Sequence, residues 1–154
     1  MSKYQIILIP VLITFTFLLP PADTACAASI DDLVLAVWGF DTAKAAALID
    51  GGVGVNGKDA NGTYPLMLAC SYKDNDEMIK LLLEKGANPN VRGPKGETPL
   101  GLAAKYSLKA VQMLIENGAD VNAKDDAGFT ALHWAQKMEQ TKIVEFLKKN
   151  GAKE

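Results

Sequence analysis

Apolar residues recur along the chain after Ala28 in a pattern that repeats about every 33 residues. Three segments share this pattern most clearly: GTYPLMLA at 62–69, GETPLGLA at 96–103 and GFTALHWA at 128–135. In each of them, a leucine and an alanine three residues later share one side of a helix. A second apolar cluster follows, and a glycine closes it. The pattern predicts two helices per unit, with the glycine at the left-handed position that ends the second helix.

The register of the recurring positions is nearly constant. One position is always alanine, at spacings of 33, 34 and 32 residues: Ala36, Ala69, Ala103 and Ala135. Another is always glycine, at spacings of 34, 32 and 33 residues: Gly52, Gly86, Gly118 and Gly151. Because one unit cannot bury both faces of its helices, the units are expected to stack on a shared core. We therefore predict an all-α solenoid of four helix-turn-helix repeats, at about 29–60, 61–94, 95–126 and 127–154.

The third unit contains GETPLGLAA at 96–104 and GADVN at 118–122. Thr98 followed by Pro99 is a favourable helix start, since the threonine oxygen accepts a free backbone N–H and proline has none. These segments resemble the hallmark of the ankyrin repeat family, a G-x-T-P-L-H-x-A-A stretch and a later G-A-D-V-N. The neighbouring copies depart from it, with Tyr64 in the threonine position and Ala131 in the proline position. The resemblance implies an ankyrin solenoid whose helix pairs are joined by β-turn or hairpin loops, with a capping first repeat.

The first residues follow a different pattern. Lys3 is the only charged residue before Asp23, an apolar run extends from 6 to 19, and small residues surround the bond after Ala27. These features are typical of a secretory signal peptide, and the apolar run is shorter than the roughly 20 residues of a membrane-spanning helix. We predict that residues 1–27 are removed on export. Residues 28–154 would then form a periplasmic or secreted ankyrin domain with no membrane attachment. An uncleaved N-terminal anchor and a lipoprotein acylated at Cys26 are the rival hypotheses.

Net charge and cysteine content argue against a nucleic-acid partner and against an intramolecular disulfide. The formal net charge is -2, so no basic excess is available to neutralise phosphates and a nucleic-acid partner is not expected. Cleavage after residue 27 would leave Cys70 as the one cysteine, which excludes an intramolecular disulfide. Cys70 lies among apolar residues of a predicted helix, and we interpret it as a buried, inert thiol. A reactive or intermolecular thiol is the alternative.

His133 is the single histidine of the chain and the obvious candidate for a general base or a metal ligand. The resemblance places it at the T-P-L-H position, where the ankyrin imidazole usually ties neighbouring turns by hydrogen bonds, so we interpret it as structural. Nucleophile-elbow, P-loop, dinucleotide-binding and C-x-x-C motifs are absent from the sequence. We therefore predict no catalytic residue, no cofactor and no metal. The carboxylates Glu84, Glu116 and Glu145 near the ends of the second helices are expected to be solvated.

The repeat pattern leaves two kinds of position free: the turn tips, and the residues just after the alanine of each first helix. The resemblance places these positions on the concave surface that contacts partners. An aromatic recurs just after the alanine in three units and a methionine in the fourth, and aromatic side chains dominate interface hot spots. The predicted partner-binding residues are Trp38, Asn61, Thr63, Ser71, Tyr72, Lys95, Glu97, Lys105, Tyr106, Phe129, Lys137 and Met138. A scaffold role, in which these aromatics cover gaps, is the alternative.

The sequence thus predicts an exported protein–protein interaction module, a monomer or part of a hetero-complex, that binds a partner protein through the concave ankyrin surface. A narrower hypothesis makes it an immunity or inhibitor protein for a periplasmic toxin or enzyme. The alternatives are a periplasmic accessory protein in oxidative-stress protection and a secreted effector that acts on host proteins. An enzyme is the least favoured class, because the sequence offers no catalytic motif.

Overall fold

A computed structural model describes residues 28–153. Eight α-helices pair along the chain as helix-turn-helix units, and no β-strand occurs in this range. The helices are α1 (Ile30–Trp38), α2 (Thr42–Asp50), α3 (Pro65–Cys70), α4 (Asp76–Glu84), α5 (Pro99–Ala103), α6 (Leu108–Glu116), α7 (Ala131–Lys137) and α8 (Thr141–Lys149). The predicted all-α fold is confirmed. The predicted signal peptide, 1–27, and the acylation hypothesis for Cys26 lie outside the described residues.

The helices form two layers. The first helices of the pairs, α1, α3, α5 and α7, pack one on the next, and the second helices α2, α4, α6 and α8 do the same. The core lies between the layers and runs from Leu33 to Leu147, both fully buried. The recurring alanines face this core, each at most 2% exposed: Ala36, Ala69, Ala103 and Ala135. Their small side chains allow neighbouring first helices to approach closely. None of the helices in residues 28–153 is long and apolar enough to cross a membrane.

Local sequence sets where the first helices begin. The Thr98 hydroxyl accepts the Gly101 N–H at 3.1 Å, as predicted, and the Thr130 hydroxyl accepts the His133 N–H at 3.3 Å in the same way. Tyr64 provides no side-chain cap, and α3 begins instead with a proline at its first position. Helix α1 begins at a capping box in which the Ser29 N–H donates to Asp32 at 2.8 Å.

Each second helix ends in the same way. The recurring glycine after the helix has a φ between 85° and 100° in all four repeats. The N–H of the following residue then reaches back to a helix carbonyl, as from Ala87 to Leu82 at 2.9 Å and from Ala119 to Leu114 at 2.9 Å. This is the Schellman arrangement, in which glycine carries the left-handed backbone without steric cost. The predicted role of these glycines is confirmed.

Three asparagines connect each repeat to the next. The Asn90 side chain donates to the Gly118 carbonyl at 2.9 Å and accepts the Asp120 N–H at 2.8 Å. Equivalent pairs of hydrogen bonds join Asn56 to the second repeat and Asn122 to the end of the fourth. We call Asn56, Asn90 and Asn122 the asparagine ladder. It joins the segments that follow the second helices of neighbouring repeats.

Candidate binding surface

The exposed large apolar side chains of residues 28–153 are confined to one part of the fold. All of them lie in a first helix or in the turn that follows it: Leu35, Trp38, Phe40, Tyr72, Tyr106 and Met138. None lies on a second helix. Scattered exposed apolar residues are ordinary, but a set gathered on one layer marks an interaction surface.

Four aromatic residues and a methionine lie at the end of a first helix or in the turn between a first and a second helix. We call Trp38, Phe40, Tyr72, Tyr106 and Met138 the aromatic row. Trp38 is 62% exposed, and Tyr72 is 37% exposed with its ring edge against Phe40 at a centroid distance of 5.9 Å. Four of the five were predicted. Phe40 was missed, although an aromatic two residues after Trp38 in the first inter-helix turn was the available signal. Ser71 is exposed beside Tyr72, but its hydroxyl donates to the Met67 carbonyl at 2.9 Å.

A short hairpin turn precedes each of α3, α5 and α7, at residues 59–63, 93–97 and 125–129. In the first of these hairpin turns, Asp59 Oδ1 accepts the N–H groups of Asn61 at 2.9 Å and Thr63 at 2.7 Å. In the second, Glu97 accepts the Lys95 N–H at 3.0 Å. The predicted residues Asn61, Thr63, Lys95 and Glu97 therefore lie at the turn tips, where their backbone or carboxylate groups also shape the turns.

Trp134, a residue of α7, contacts the third hairpin turn. Its half-buried indole donates its N–H to Asp125 Oδ2 at 3.1 Å. The ammonium groups of two predicted residues lie near its ring, Lys105 at 4.1 Å and Lys137 at 5.1 Å from the centroid. Phe129, also predicted, meets the indole edge-on at a centroid distance of 5.7 Å. We call Trp134, Lys105, Lys137, Asp125 and Phe129 the Trp134 cluster.

An open hollow of about 500 Å³ lies beside the cluster and joins the hairpin turns to the first helices. Its lining includes the predicted residues Lys95, Glu97, Lys105 and Phe129. The structure thus brings these four together around Trp134, with Lys137 next to the ring. The hollow does not reach Asn61 or Thr63 of the first hairpin turn.

Trp134 itself was missed by the sequence analysis. It directly precedes the recurring alanine of the fourth unit, in the position that Leu35, Leu68 and Leu102 occupy in the other units. Leu35 is 60% exposed, whereas the other three are half-buried. An apolar residue at one register in every unit was the signal that could have identified it.

His133 makes a different contact from the one expected. Its imidazole stacks on the Phe129 ring, with centroids 4.0 Å apart and planes at 8°. The expected hydrogen bonds from the imidazole to neighbouring turns are not formed within residues 28–153, where the ring is instead stacked on Phe129. Over the same range, no three His, Cys, Asp or Glu side chains are grouped as a metal site would need.

Cys70 and the carboxylates of the second helices match the sequence analysis. Cys70 is a free cysteine, 1% exposed, at the end of α3. Burial raises the pKa of its thiol above the usual range, and the negative charge of Asp76 adds to the effect. Glu84, Glu116 and Glu145 are exposed. Neither feature provides a reactive group on the first-helix layer.

A sequence profile for ankyrin repeats in three copies matches residues 33–125 and 73–154, and the chain belongs to the ankyrin repeat family. It is 38% identical over 60 residues to an ankyrin repeat-containing protein of Schizosaccharomyces pombe. It is 42% identical over 60 residues to a transient receptor potential channel homologue of Caenorhabditis elegans. It is 33% identical over 88 residues to the human 2-5A-dependent ribonuclease.

Each of these matches covers only part of this chain and less than a third of the relative. They cover 39%, 39% and 55% of this chain and 28%, 5% and 12% of the three relatives, in the order given above. Ankyrin repeats are typically binding scaffolds rather than catalytic domains. The chain is therefore a protein–protein interaction module of the ankyrin class.

Proposed function

We propose that this chain is an exported protein-binding module whose partner lies against the first helices and the hairpin turns. The observation that carries the proposal is the confinement of the large exposed apolar residues to the first helices and the turns that follow them. Tyrosine and tryptophan bury a large area with little loss of side-chain entropy, so the aromatic row has the composition of an interface core. Within residues 28–153, the second helices carry none of the exposed large apolar residues and expose Glu84, Glu116 and Glu145 instead.

The aromatic row provides the direct test. A partner is captured from the native source with the purified protein, and its affinity is then measured for the Tyr72→Ala/Tyr106→Ala variant. Truncation of a hot-spot residue costs about 2 kcal/mol or more, so we expect affinity to fall at least about thirtyfold. Glu84→Ala/Glu116→Ala is the matched control on the second helices, and circular dichroism checks that both variants fold. Equal affinities for both variants would exclude this face.

Export is tested separately. The motif at residues 1–27 supports a mature protein that begins at Ala28, outside the cytoplasm. Cell fractionation with N-terminal sequencing of the recovered protein measures both points. Recovery from the cytoplasm with residues 1–27 intact would contradict export and leave the binding proposal standing.

Within this proposal, a toxin or enzyme of the periplasm is the partner class that we favour, which would make the chain an immunity or inhibitor protein. The export motif at residues 1–27 supports this hypothesis. The captured partner decides it. An enzyme whose activity falls on addition of the purified chain would support inhibition, and unchanged activity of the bound enzyme would contradict it.

A further inference from the structure

The tip of the first hairpin turn has the sequence Asn61-Gly62-Thr63. An asparagine followed two positions later by threonine or serine, with no proline between them, is the acceptor sequence for N-glycosylation of exported proteins. The chain has eight asparagines, and Asn61 is the only one with a threonine or serine at that distance. The corresponding tip positions of the second and third hairpin turns are Lys95 and Ala127, so the acceptor sequence belongs to the first turn alone.

The side chain of Asn61 is accessible at this tip. Asn61 is exposed, and its one side-chain hydrogen bond within residues 28–153 joins Nδ2 to Asp59 Oδ2 at 3.3 Å. That distance exceeds the usual value of about 2.9–3.0 Å. The side chains of the asparagine ladder differ, since each of them both donates to and accepts from the backbone of the next repeat. The Asn61 carboxamide is therefore available to an enzyme.

The backbone of the turn is held independently of that carboxamide. Asp59 Oδ1 accepts the N–H groups of Asn61 at 2.9 Å and Thr63 at 2.7 Å, and the Asp59 carbonyl accepts the Gly62 N–H at 2.9 Å. A substituent on Asn61 Nδ2 leaves these three hydrogen bonds in place. The folded turn can thus carry a modified Asn61.

The Thr63 hydroxyl meets the second requirement of the acceptor sequence, a hydroxyl group on its third residue. Thr63 is half-buried, and its backbone N–H is bonded to Asp59. The hydroxyl itself forms no hydrogen bond within residues 28–153. No group of the described chain therefore competes with an enzyme for it.

We propose that Asn61 is an N-glycosylation site of the exported protein. In this reaction Asn61 Nδ2 forms a bond to the anomeric carbon of a lipid-linked oligosaccharide, and the bond from that carbon to the lipid phosphate breaks. The lipid phosphate leaves as the second product, and Nδ2 loses one proton. An oligosaccharyltransferase outside the cytoplasm supplies the catalysis. The proposal rests on the export part of the proposed function, because this enzyme and its lipid-linked donor meet only exported proteins.

A glycan at Asn61 changes the expected partner surface. A glycan is bulky and hydrophilic, so it covers the tip of the first hairpin turn. The aromatic row and the other two hairpin turns have no acceptor sequence and stay uncovered. The partner then lies against those parts of the face, and Asn61 does not contact it directly.

The test is mass spectrometry of the protein recovered from its native source. Trypsin cleaves after Lys58 and Lys73, and so isolates Asn61 in the peptide 59–73. We expect this peptide to carry the added mass of a sugar chain, and fragmentation to locate the addition on Asn61. Recovery of the peptide 59–73 only in its unmodified form would overturn the proposal.

Variants produced in the same cells test the acceptor sequence itself. Thr63→Ala removes the hydroxyl and should abolish the addition although Asn61 is retained, whereas Thr63→Ser should keep it. The backbone N–H that bonds to Asp59 is present in both variants, and circular dichroism checks that both fold. An addition that persists in Thr63→Ala would contradict transfer to this acceptor sequence.

The matched positive control places the acceptor sequence in the third hairpin turn. The Ala127→Asn/Phe129→Thr variant creates it around Gly128, and should gain a second sugar chain on the tryptic peptide 125–137. Modification of the peptide 125–137 with the peptide 59–73 left bare would show that the enzyme does not reach the first turn. That result would also overturn the proposal.

Cell fractionation separates this failure from failure of export. Recovery outside the cytoplasm, without residues 1–27 and with a bare peptide 59–73, would refute the modification and leave export standing. Recovery in the cytoplasm with residues 1–27 intact and the same peptide bare would refute both. Neither result changes the binding test with Tyr72→Ala/Tyr106→Ala.

Discussion

The Trp134 indole donates its N–H to Asp125 Oδ2 at 3.1 Å, which ties helix α7 to the hairpin turn before it. The other oxygen of the same carboxylate accepts the N–H groups of Ala127 at 3.0 Å and Phe129 at 2.9 Å. Asp125 thus shapes the turn and holds the indole at once. Removal of the carboxylate leaves three donors without their partner.

We predict that Asp125→Ala lowers the free energy of unfolding by about 1–3 kcal/mol, the usual cost of partly buried donors left unsatisfied. Urea denaturation followed by circular dichroism measures this loss. Asp126→Ala is the control, because the exposed Asp126 forms only a distant pair with Arg92 and surface pairs contribute about 0–1 kcal/mol. Equal losses in the two variants would show that Asp125 has no special role in the turn.

Gly96 and Gly118 illustrate two different requirements for glycine, lack of space for a Cβ and a left-handed backbone conformation. Both have positive φ, +70° and +85°. A Cβ at Gly96 would overlap Asp126 Oδ1 and lie 2.8 Å from the Asp126 backbone nitrogen, whereas a Cβ at Gly118 would meet nothing within 4 Å. The left-handed conformation costs about 1–2 kcal/mol for an alanine. We predict that Gly118→Ala lowers the free energy of unfolding by that cost alone, and that Gly96→Ala lowers it by clearly more.

Thermal or urea unfolding of the two variants measures the difference. The Gly96→Ala/Asp126→Ala double variant provides a further control, because it removes the carboxylate contact and leaves the contact with the backbone nitrogen. Its stability should recover only in part. Full recovery would mean that the second and third hairpin turns do not approach through their backbones as the Lys95 carbonyl bond to the Asp126 N–H indicates.

The features that sequence predicted well are those in which a residue acts on its own backbone. Thr98 caps α5 and Gly118 ends α6 because each satisfies groups within a few residues of itself, so type and spacing suffice. The burial of Ala103 follows in the same way from the helical period.

The Trp134 cluster could not be predicted in this way. The contact between Lys105 and the Trp134 ring joins residues 29 positions apart, and it depends on how α5 packs beside α7. The Phe129 stack on His133 likewise depends on ring orientation, which the repeat pattern does not specify. The resemblance to the ankyrin repeat predicted hydrogen bonds from the His133 imidazole, whereas the structure shows the ring stacked on Phe129.

We predict that removal of an asparagine of the ladder weakens the coupling between neighbouring repeats and lowers the free energy of unfolding. Asn90→Ala removes one donor and one acceptor, the bonds to Gly118 and Asp120, of 2.9 and 2.8 Å. At about 0.5–1.5 kcal/mol for each bond, we expect a loss of about 1–3 kcal/mol in urea denaturation. Asn61→Ala is the control, since the Asn61 side chain bonds only to Asp59 in its own turn, at 3.3 Å. A loss at Asn61 as large as that at Asn90 would contradict a role in coupling the repeats.

We predict that the thiol of Cys70 reacts only after the protein unfolds. It is 1% exposed, and burial raises its pKa, so the native thiol is both shielded and protonated. In the Cys26→Ser variant Cys70 is the only cysteine. We expect a chromogenic disulfide reagent to react with it slowly in buffer, at a rate set by unfolding, and rapidly in denaturant. The exposed neighbour Ser71 provides the control: in Cys26→Ser/Cys70→Ala/Ser71→Cys, the new thiol should react at once in the native protein.

The Cys70 thiol also makes the free energy of unfolding depend on pH, and its contribution falls as pH rises. Because the pKa is raised in the folded chain, the unfolded thiol loses its proton first as pH increases. The contribution of Cys70 to stability is therefore fully present below the pKa of the unfolded thiol, about 8.5, and declines above it. Comparison of Cys26→Ser with Cys26→Ser/Cys70→Ala in urea at neutral and alkaline pH isolates this contribution. Equal declines of the two variants with pH, or rapid labelling of native Cys70, would contradict its burial in the core.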